Sequence, residues 1–251
     1  MSFAIFDVET RIDKRLLREC YFPDVALADD EAFARWRSER SGRGQSDFAP
    51  LAFHVPISIA VGNAADDYTL QPVETLCNDN YSEREIVAEF WRRIGRFQGR
   101  LVSFNGRRFD LPVLELAALR YGLSAPDYFA APHGGRERLA DRHLDLYDFL
   151  TNRGAARSVG GLDALLRMIG LPGKAGLDGA RVQEYYEAGR LAEIHRYCRA
   201  DVVRTHLLFL RVELMRGRID EGGWRRVSEA ALALLAELEA SSGQGSGMES
   251  R

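Results

Sequence analysis

Lysine is almost missing from this chain: Lys14 and Lys174 are the only two among 34 basic residues, the rest being arginine. That imbalance reads as coding bias rather than chemistry. Excess charge of one sign is missing as well, since 37 acidic residues leave a formal net charge of −3, which excludes both a polybasic tail and an acidic disordered chain. Cysteine is scarce. Cys20, Cys77 and Cys198 are odd in number and far apart, so neither a disulfide framework nor a thiolate metal site is spaced for, and a reducing, cytoplasmic compartment is expected. No apolar run approaches the ~18 residues of a membrane span. The early run in MSFAIFDVET carries Asp7 and Glu9 and does not suit the apolar core of a signal peptide. What remains, 46% hydrophobic and 28% charged over 251 residues, can bury a sizeable core and fits one α/β domain.

Residues 3 to 8 (FAIFDV) read as a short buried strand, because branched and aromatic residues crowd a run too short for a helix. Residues 11 to 47 are charged and punctuated by glycine and serine, with a modest helical signal around DEAFARWRSER, and read as an insertion. HVPISIAVG (54–62) and residues 67 to 73 flank GNAAD, a hairpin pattern that predicts strands two and three. Ser82 and Glu85 form a capping box before IVAEFWRRIGRF, where Ile86, Phe90, Ile94 and Phe97 recur at helical spacing and turn the arginines outward. LVSFN (101–105) reads as a further strand, followed by a loop and a helix from Asp110 to Tyr121. Residues 122 to 142 look loop-like, and HLDLYDFL (143–150) fits a strand end or a helical turn equally well.

From Val159 onward the pattern is helical. Its longest element runs from about Arg190 to Arg216, with Leu191, Ile194, Cys198, Val202, Thr205 and Leu208 on the buried stripe. A helix from about Trp224 to Ala240 precedes a Gly/Ser tail, 241–251, expected to be disordered. Strands first and helices after imply a mixed sheet covered by helices. Between Phe90 and Phe109 lie Arg92, Arg93, Arg96, Arg100, Arg107 and Arg108 without an acidic residue. This cationic strip fits a polyanion contact or a solvated helix face.

Alternation along a strand places Asp7 and Glu9 on one face and Phe6 and Val8 on the other. Carboxylates this close repel, and a hard divalent cation between them is the natural compensation; a solvated strand end is the other reading. Asp29 and Glu31 repeat the spacing, but only the first pair lies in an apolar strand. Tyr197 and Asp201, four apart on the long helix, share a face, as a core tyrosine beside a solvated aspartate also would. In SFNGRRFDLPVL, Asn105 closes a strand, Gly106 permits a sharp turn, and Asp110 opens a helix, as a site carboxylate or as a plain N-cap ahead of Pro112.

Placed on strand, loop-to-helix and helix in that order, these elements resemble the tyrosine subtype of the DEDD 3'-5' exonucleases (DEDDy). More narrowly, the chain resembles the stand-alone predicted exonucleases related to the proofreading domain of family-B DNA polymerases, which have a ribonuclease H-like fold. The resemblance runs from residue 3 to about 216, through Phe6-Asp7-Val8-Glu9-Thr10, Phe104-Asn105-Gly106-Arg107-Arg108-Phe109-Asp110 and Tyr197-Cys198-Arg199-Ala200-Asp201. It implies an α/β domain over 1–216 with a mixed central sheet and a helix-rich C-terminal half. The 11–47 insertion and the 217–240 helix receive no role. The histidine subtype places its histidine five residues before the last aspartate; Arg196 stands there, and His195 is one residue out of register, so His195 is expected to be a surface or structural residue.

The resemblance implies a metal-dependent hydrolase that removes nucleotides from the 3' end of nucleic acid, with single-stranded DNA the expected substrate. Its expected cofactors are two Mg2+ or Mn2+ ions: Asp7 would bridge both, Glu9 and Asp201 would complete the first site, and Asp110 would support the second. Tyr197 would orient the attacking water. Phe104, Asn105, Arg107 and Arg108 are candidate strand contacts, and Thr10 is a backbone contact to the terminal nucleotide. An RNA-processing exonuclease and a catalytically silent binding module remain as alternatives, though the complete acidic set speaks against the second. No membrane partner is expected, and no protein partner is indicated. His143, Asp145 and Asp148 are expected to support the site or cap a helix. Lys174 lacks the glycine spacing of a phosphate loop, and the cysteines carry no assigned chemistry.

Overall fold

The computed structural model describes residues 2–76, 82–130, 142–173 and 179–240. Cys77, Lys174, the 241–251 tail and most of the second half of the 122–142 loop lie outside the described residues. Along the chain run β1 (Phe3–Ile12), α1 (Lys14–Tyr21), α2 (Asp29–Gly42), β2 (His54–Ala64), β3 (Glu74–Thr75), α3 (Glu83–Arg96), β4 (Arg100–Ser103) and α4 (Asp110–Tyr121). Then come α5 (Pro126–Ala130), β5 (His143–Asp145), α6 (Leu146–Leu150), α7 (Leu162–Met168), α8 (Val182–Glu187), α9 (Leu191–Met215) and α10 (Glu221–Ala240).

The five strands form one mixed sheet in the order β3-β2-β1-β4-β5, antiparallel at β3/β2 and β2/β1 and parallel at β1/β4 and β4/β5. β1 is central because both its faces are apolar. Phe3 and Ile5 pack into the layer of α7, α9 and α10, while Ala4, Phe6 and Val8 pack into the layer of α3 and α4. β4 pairs with β1 only as far as Ile5. Beyond it, Asp7 and Glu9 continue on the α9 face past the carboxyl end of β4, where open α/β sheets form their crevices.

Residues 11 to 47 fold as a helical pair with its own small core of Leu17, Phe22, Ala32 and Trp36, shared with Ala49 and Phe53. The strand expected at 67–73 is absent apart from one bridge between Leu70 and Ala64. Asp67 takes that segment into a turn, accepting from the Thr69 amide and hydroxyl, with Tyr68 left-handed at φ 67°. β3 starts later, at Glu74. HLDLYDFL resolves into both expected forms, three residues of β5 and then α6. On α9 the predicted stripe is buried except for half-buried Leu191, and every side chain from Ala200 to Leu210 is buried, because the sheet covers one side and α10 another. The cationic strip is largely neutralised: Arg92 and Arg93 pair with Glu89, Arg93 also with Glu74, and Arg107 and Arg108 face Asp148. Hydrogen bonds from Arg92 above all hold the Glu89 carboxyl down at about 2.

The loop between β4 and α4 is held by one buried side chain. Asp145 ends β5 and caps α6, and its carboxylate accepts from the backbone N–H groups of Tyr147, Asp148, Asn105 and Arg107. Burial raises its pKa, against the pull of those N–H donors. The left-handed residue of the turn is Asn105, at φ 65°, rather than Gly106. Gly106 is needed for room: a Cβ there would lie 2.4 Å from Ser103 Oγ and 3.4 Å from Asp110 Oδ2.

Two outcomes follow. Asp145→Ala strands four half-buried backbone donors and should cost about 3 kcal/mol or more in urea unfolding. Burial also holds His143 and His206 neutral, down at about 3, whereas an unfolded histidine takes up its proton near ~6.5. The unfolded state therefore binds more protons, so this contribution to stability is intact above pH 6.5 and is lost as pH falls toward 3. The stability difference between wild type and His206→Leu should move by up to ~1.4 kcal/mol per pH unit in that window, and a pH-independent difference would refute it.

Candidate active site

β1 and α9 meet at the carboxyl end of the parallel strands, and the meeting is fixed by Cys198. Its buried thiol donates to the carbonyl oxygen of Asp7 at 3.4 Å and faces that of Ser58, and burial raises its pKa well above the ordinary thiol value. The cysteine is a seat for the helix. With α9 held there, Tyr197 and Asp201 project toward Asp7 and Glu9. Carboxylate oxygens of Asp7, Glu9 and Asp201 all lie within 4.8 Å of one another.

Asp110, first residue of α4, lines the same cleft but stands outside that trio. It is buried, and burial together with the negative charge of Asp7 pushes its carboxyl well above the usual range. Its N-cap is Phe109, so Asp110 is not the capping residue. Tyr197 is buried against the trio, with its hydroxyl hydrogen-bonded to the Asp201 side chain. Burial first, then the charges of Asp201, Glu9 and Asp7, raise its pKa far above that of a free phenol. A hard, all-oxygen donor set of this density fits Mg2+ or Mn2+ and would be relieved of its repulsion by such an ion.

The cleft has a volume of about 390 Å³ and brings together Asp7, Glu9, Asp110, Tyr197 and Asp201 with Phe104, Asn105 and Arg108. Two expected contacts fall outside its lining. Thr10 follows a β-bulge at Glu9/Thr10 opposite Pro56, which has no N–H to pair, and its hydroxyl is tied to His54 Nδ1 at 2.8 Å. Arg107 turns to Asp148 at 3.2 Å, with its amide held by Asp145. His195 is structural, bonded through Nδ1 to Ser58 Oγ.

Sequence reasoning missed three residues. Phe48, 56% exposed, enters the cleft from the end of the helical pair, stacked on His54 and edge-on to Phe109. No local pattern marks it. Arg204 is buried one turn after Asp201 and donates to it at 2.9 Å; no local pattern marks it. Asp145 was expected only in a supporting role, and its span across two loops was not legible.

Comparison with curated proteins finds no match to this chain. Among solved structures, the chain is similar to the family B DNA polymerase of the hyperthermophilic archaeon Pyrobaculum calidifontis, with a TM-score of 0.55 at 16% identity. The alignment covers 96% of this chain and 29% of the polymerase, so the chain spans under a third of that protein. At this identity the likeness speaks for the fold, a mixed sheet between helices consistent with the ribonuclease H-like class. A family model described as a predicted 3'-5' exonuclease related to the exonuclease domain of PolB matches residues 46–246. The match begins after the first acidic pair, whose place in the site comes from the sheet, and it extends through α10. With most of its length matched, the chain belongs to this family of predicted 3'-5' exonucleases related to the exonuclease domain of PolB.

Proposed function

We propose that this protein is a two-metal-ion 3'-5' exonuclease acting on single-stranded DNA ends. The observation that carries the reading is the convergence of Asp7, Glu9 and Asp201 within 4.8 Å, beside Tyr197 and Asp110 in one cleft. Asp7, Glu9 and Asp201 would hold one ion, and Asp110, in the same cleft, would support the other. Bound there, Mg2+ or Mn2+ supplies Lewis acidity that lowers the pKa of water and offsets charge growing on the phosphate. Water oxygen attacks the phosphorus, the 3'-oxygen of the penultimate nucleotide leaves, and a nucleoside 5'-monophosphate departs.

Tyr197 is a positioning group rather than a base. Its raised pKa keeps the phenol protonated, and its hydroxyl is engaged with Asp201. The phenol oxygen then has a lone pair for a water proton, which orients the nucleophile. Phe48, Leu51, Phe104 and Leu162 give the cleft an apolar wall against which the terminal nucleoside can pack, and Arg108, half exposed, offers charge to its phosphate.

End-labelled single-stranded DNA and RNA of one sequence, incubated with Mg2+, Mn2+ or EDTA, test the reading. Expected is a ladder shortening from the 3' end that EDTA abolishes. Asp7→Asn should lose about a thousandfold or more, as members of a unit that acts together do, and Tyr197→Phe about a hundredfold in kcat with KM little changed. No shortening of either polymer by wild type would sink the proposal. Separately, Phe48→Ala should raise KM for oligonucleotides about tenfold, the scale of one lost stacking contact, while Phe48→Trp should restore it. An unchanged KM would remove Phe48 from the binding surface.

A further inference from the structure

The C-terminal helix reaches the acidic trio through two side chains. Arg204 on α9 is 1% exposed, and its guanidinium donates to Asp201 Oδ1 at 2.9 Å and to Glu239 Oε1 at 2.5 Å. Glu239 lies one residue from the end of α10 and is 34% exposed. α10 otherwise docks on α9 through Ala231 and Leu235 and through Trp224, over whose ring the Arg211 guanidinium lies at 4.0 Å. A buried arginine adds little to such packing and often costs stability relative to a hydrophobe of similar size. Its presence one turn from Asp201 therefore points to work done on Asp201.

The chain of charges explains what that work is. A guanidinium fork is rigid and planar, so a bond to one oxygen of Asp201 fixes how the carboxylate faces Asp7 and Glu9. Arg204 alone would also cancel the charge of Asp201 beside a cation site. Glu239 restores it, because Asp201, Arg204 and Glu239 together carry one net negative charge, and it engages the second nitrogen. We propose that Arg204 and Glu239 are positioning residues through which docked α10 fixes the Asp201 carboxylate and keeps the cation site negative. This rests on reading Asp7, Glu9 and Asp201 as a metal cage.

The test reads metal binding rather than turnover. Mn2+ is titrated by calorimetry into the full chain as wild type, Glu239→Gln, Arg204→Gln and Glu229→Gln, with folding checked by circular dichroism. Glu239→Gln should bind Mn2+ about three- to tenfold more weakly, the loss shrinking in high salt. Glu229→Gln removes the same charge from an exposed position on the same helix and should leave affinity unchanged. Arg204→Gln should also bind more weakly, although removing a cation from beside a cation site would by charge alone tighten binding; tighter binding overturns the positioning role. Should Arg204→Gln fail to fold, Glu239→Gln decides alone. If wild type binds Mn2+ and Glu239→Gln matches it, the proposal is overturned and the cage reading stands. If wild type binds no Mn2+, the cage reading falls first and this one with it.

Discussion

Three carboxylates from two elements, held with oxygens within 4.8 Å of one another, repel, and the surrounding structure is arranged to tolerate that repulsion. β1 cannot swing Asp7 and Glu9 apart, because Phe6 and Val8, which alternate with them, are packed under α3 and α4. α9 cannot retreat, because Cys198 bonds the Asp7 carbonyl and every side chain from Ala200 to Leu210 is buried. Close packing of this density transmits strain instead of relaxing it. The repulsion is thus kept as a field at the cleft.

The fourth carboxylate is placed by a different device. Asp110 depends on the turn from β4 into α4, which rests on the two N–H bonds that Asp145 accepts from Asn105 and Arg107, on left-handed Asn105 and on the missing Cβ of Gly106. Asn tolerates that conformation because its short polar side chain relieves what a branched one could not. The site is therefore a joint between a rigid strand-helix contact and a loop whose shape is set by backbone hydrogen bonds. Movement of either would separate Asp110 from Asp7.

What the sequence made legible follows from the range of the interactions involved. Asp110–Tyr121 and the long helix were readable because their signals, an early helical proline and 3.6-residue spacing, act within a turn or two. The shared faces of Asp7 with Glu9 and of Tyr197 with Asp201 follow from period alone. Phe48 was not readable: it reaches the cleft because Leu17, Phe22, Ala32 and Trp36 build a separate core that fixes the end of the 11–47 segment. Thr10 lies outside the cleft lining because a bulge opposite Pro56 shifts the strand register just after Glu9. The strand expected at 67–73 lost to side-chain capping by Asp67, since apolar composition there competes with a turn that needs only two local hydrogen bonds.

The same distinction bears on where function can vary. Asp7, Glu9, Tyr197 and Asp201 sit on packed stretches of β1 and α9, so substitution there is constrained by folding and chemistry together. The two segments that received no role from the resemblance, the helical pair and α10, approach the cleft from outside the sheet, one with an exposed aromatic ring and the other through a buried ion pair. Each touches the site at one side chain while carrying its own apolar packing. Such a segment can change its contact without disturbing the acidic cluster. On the proposed reading, grip on the substrate and tuning of the cation site would be separable from the chemistry and would reside in the parts of the chain least legible from spacing.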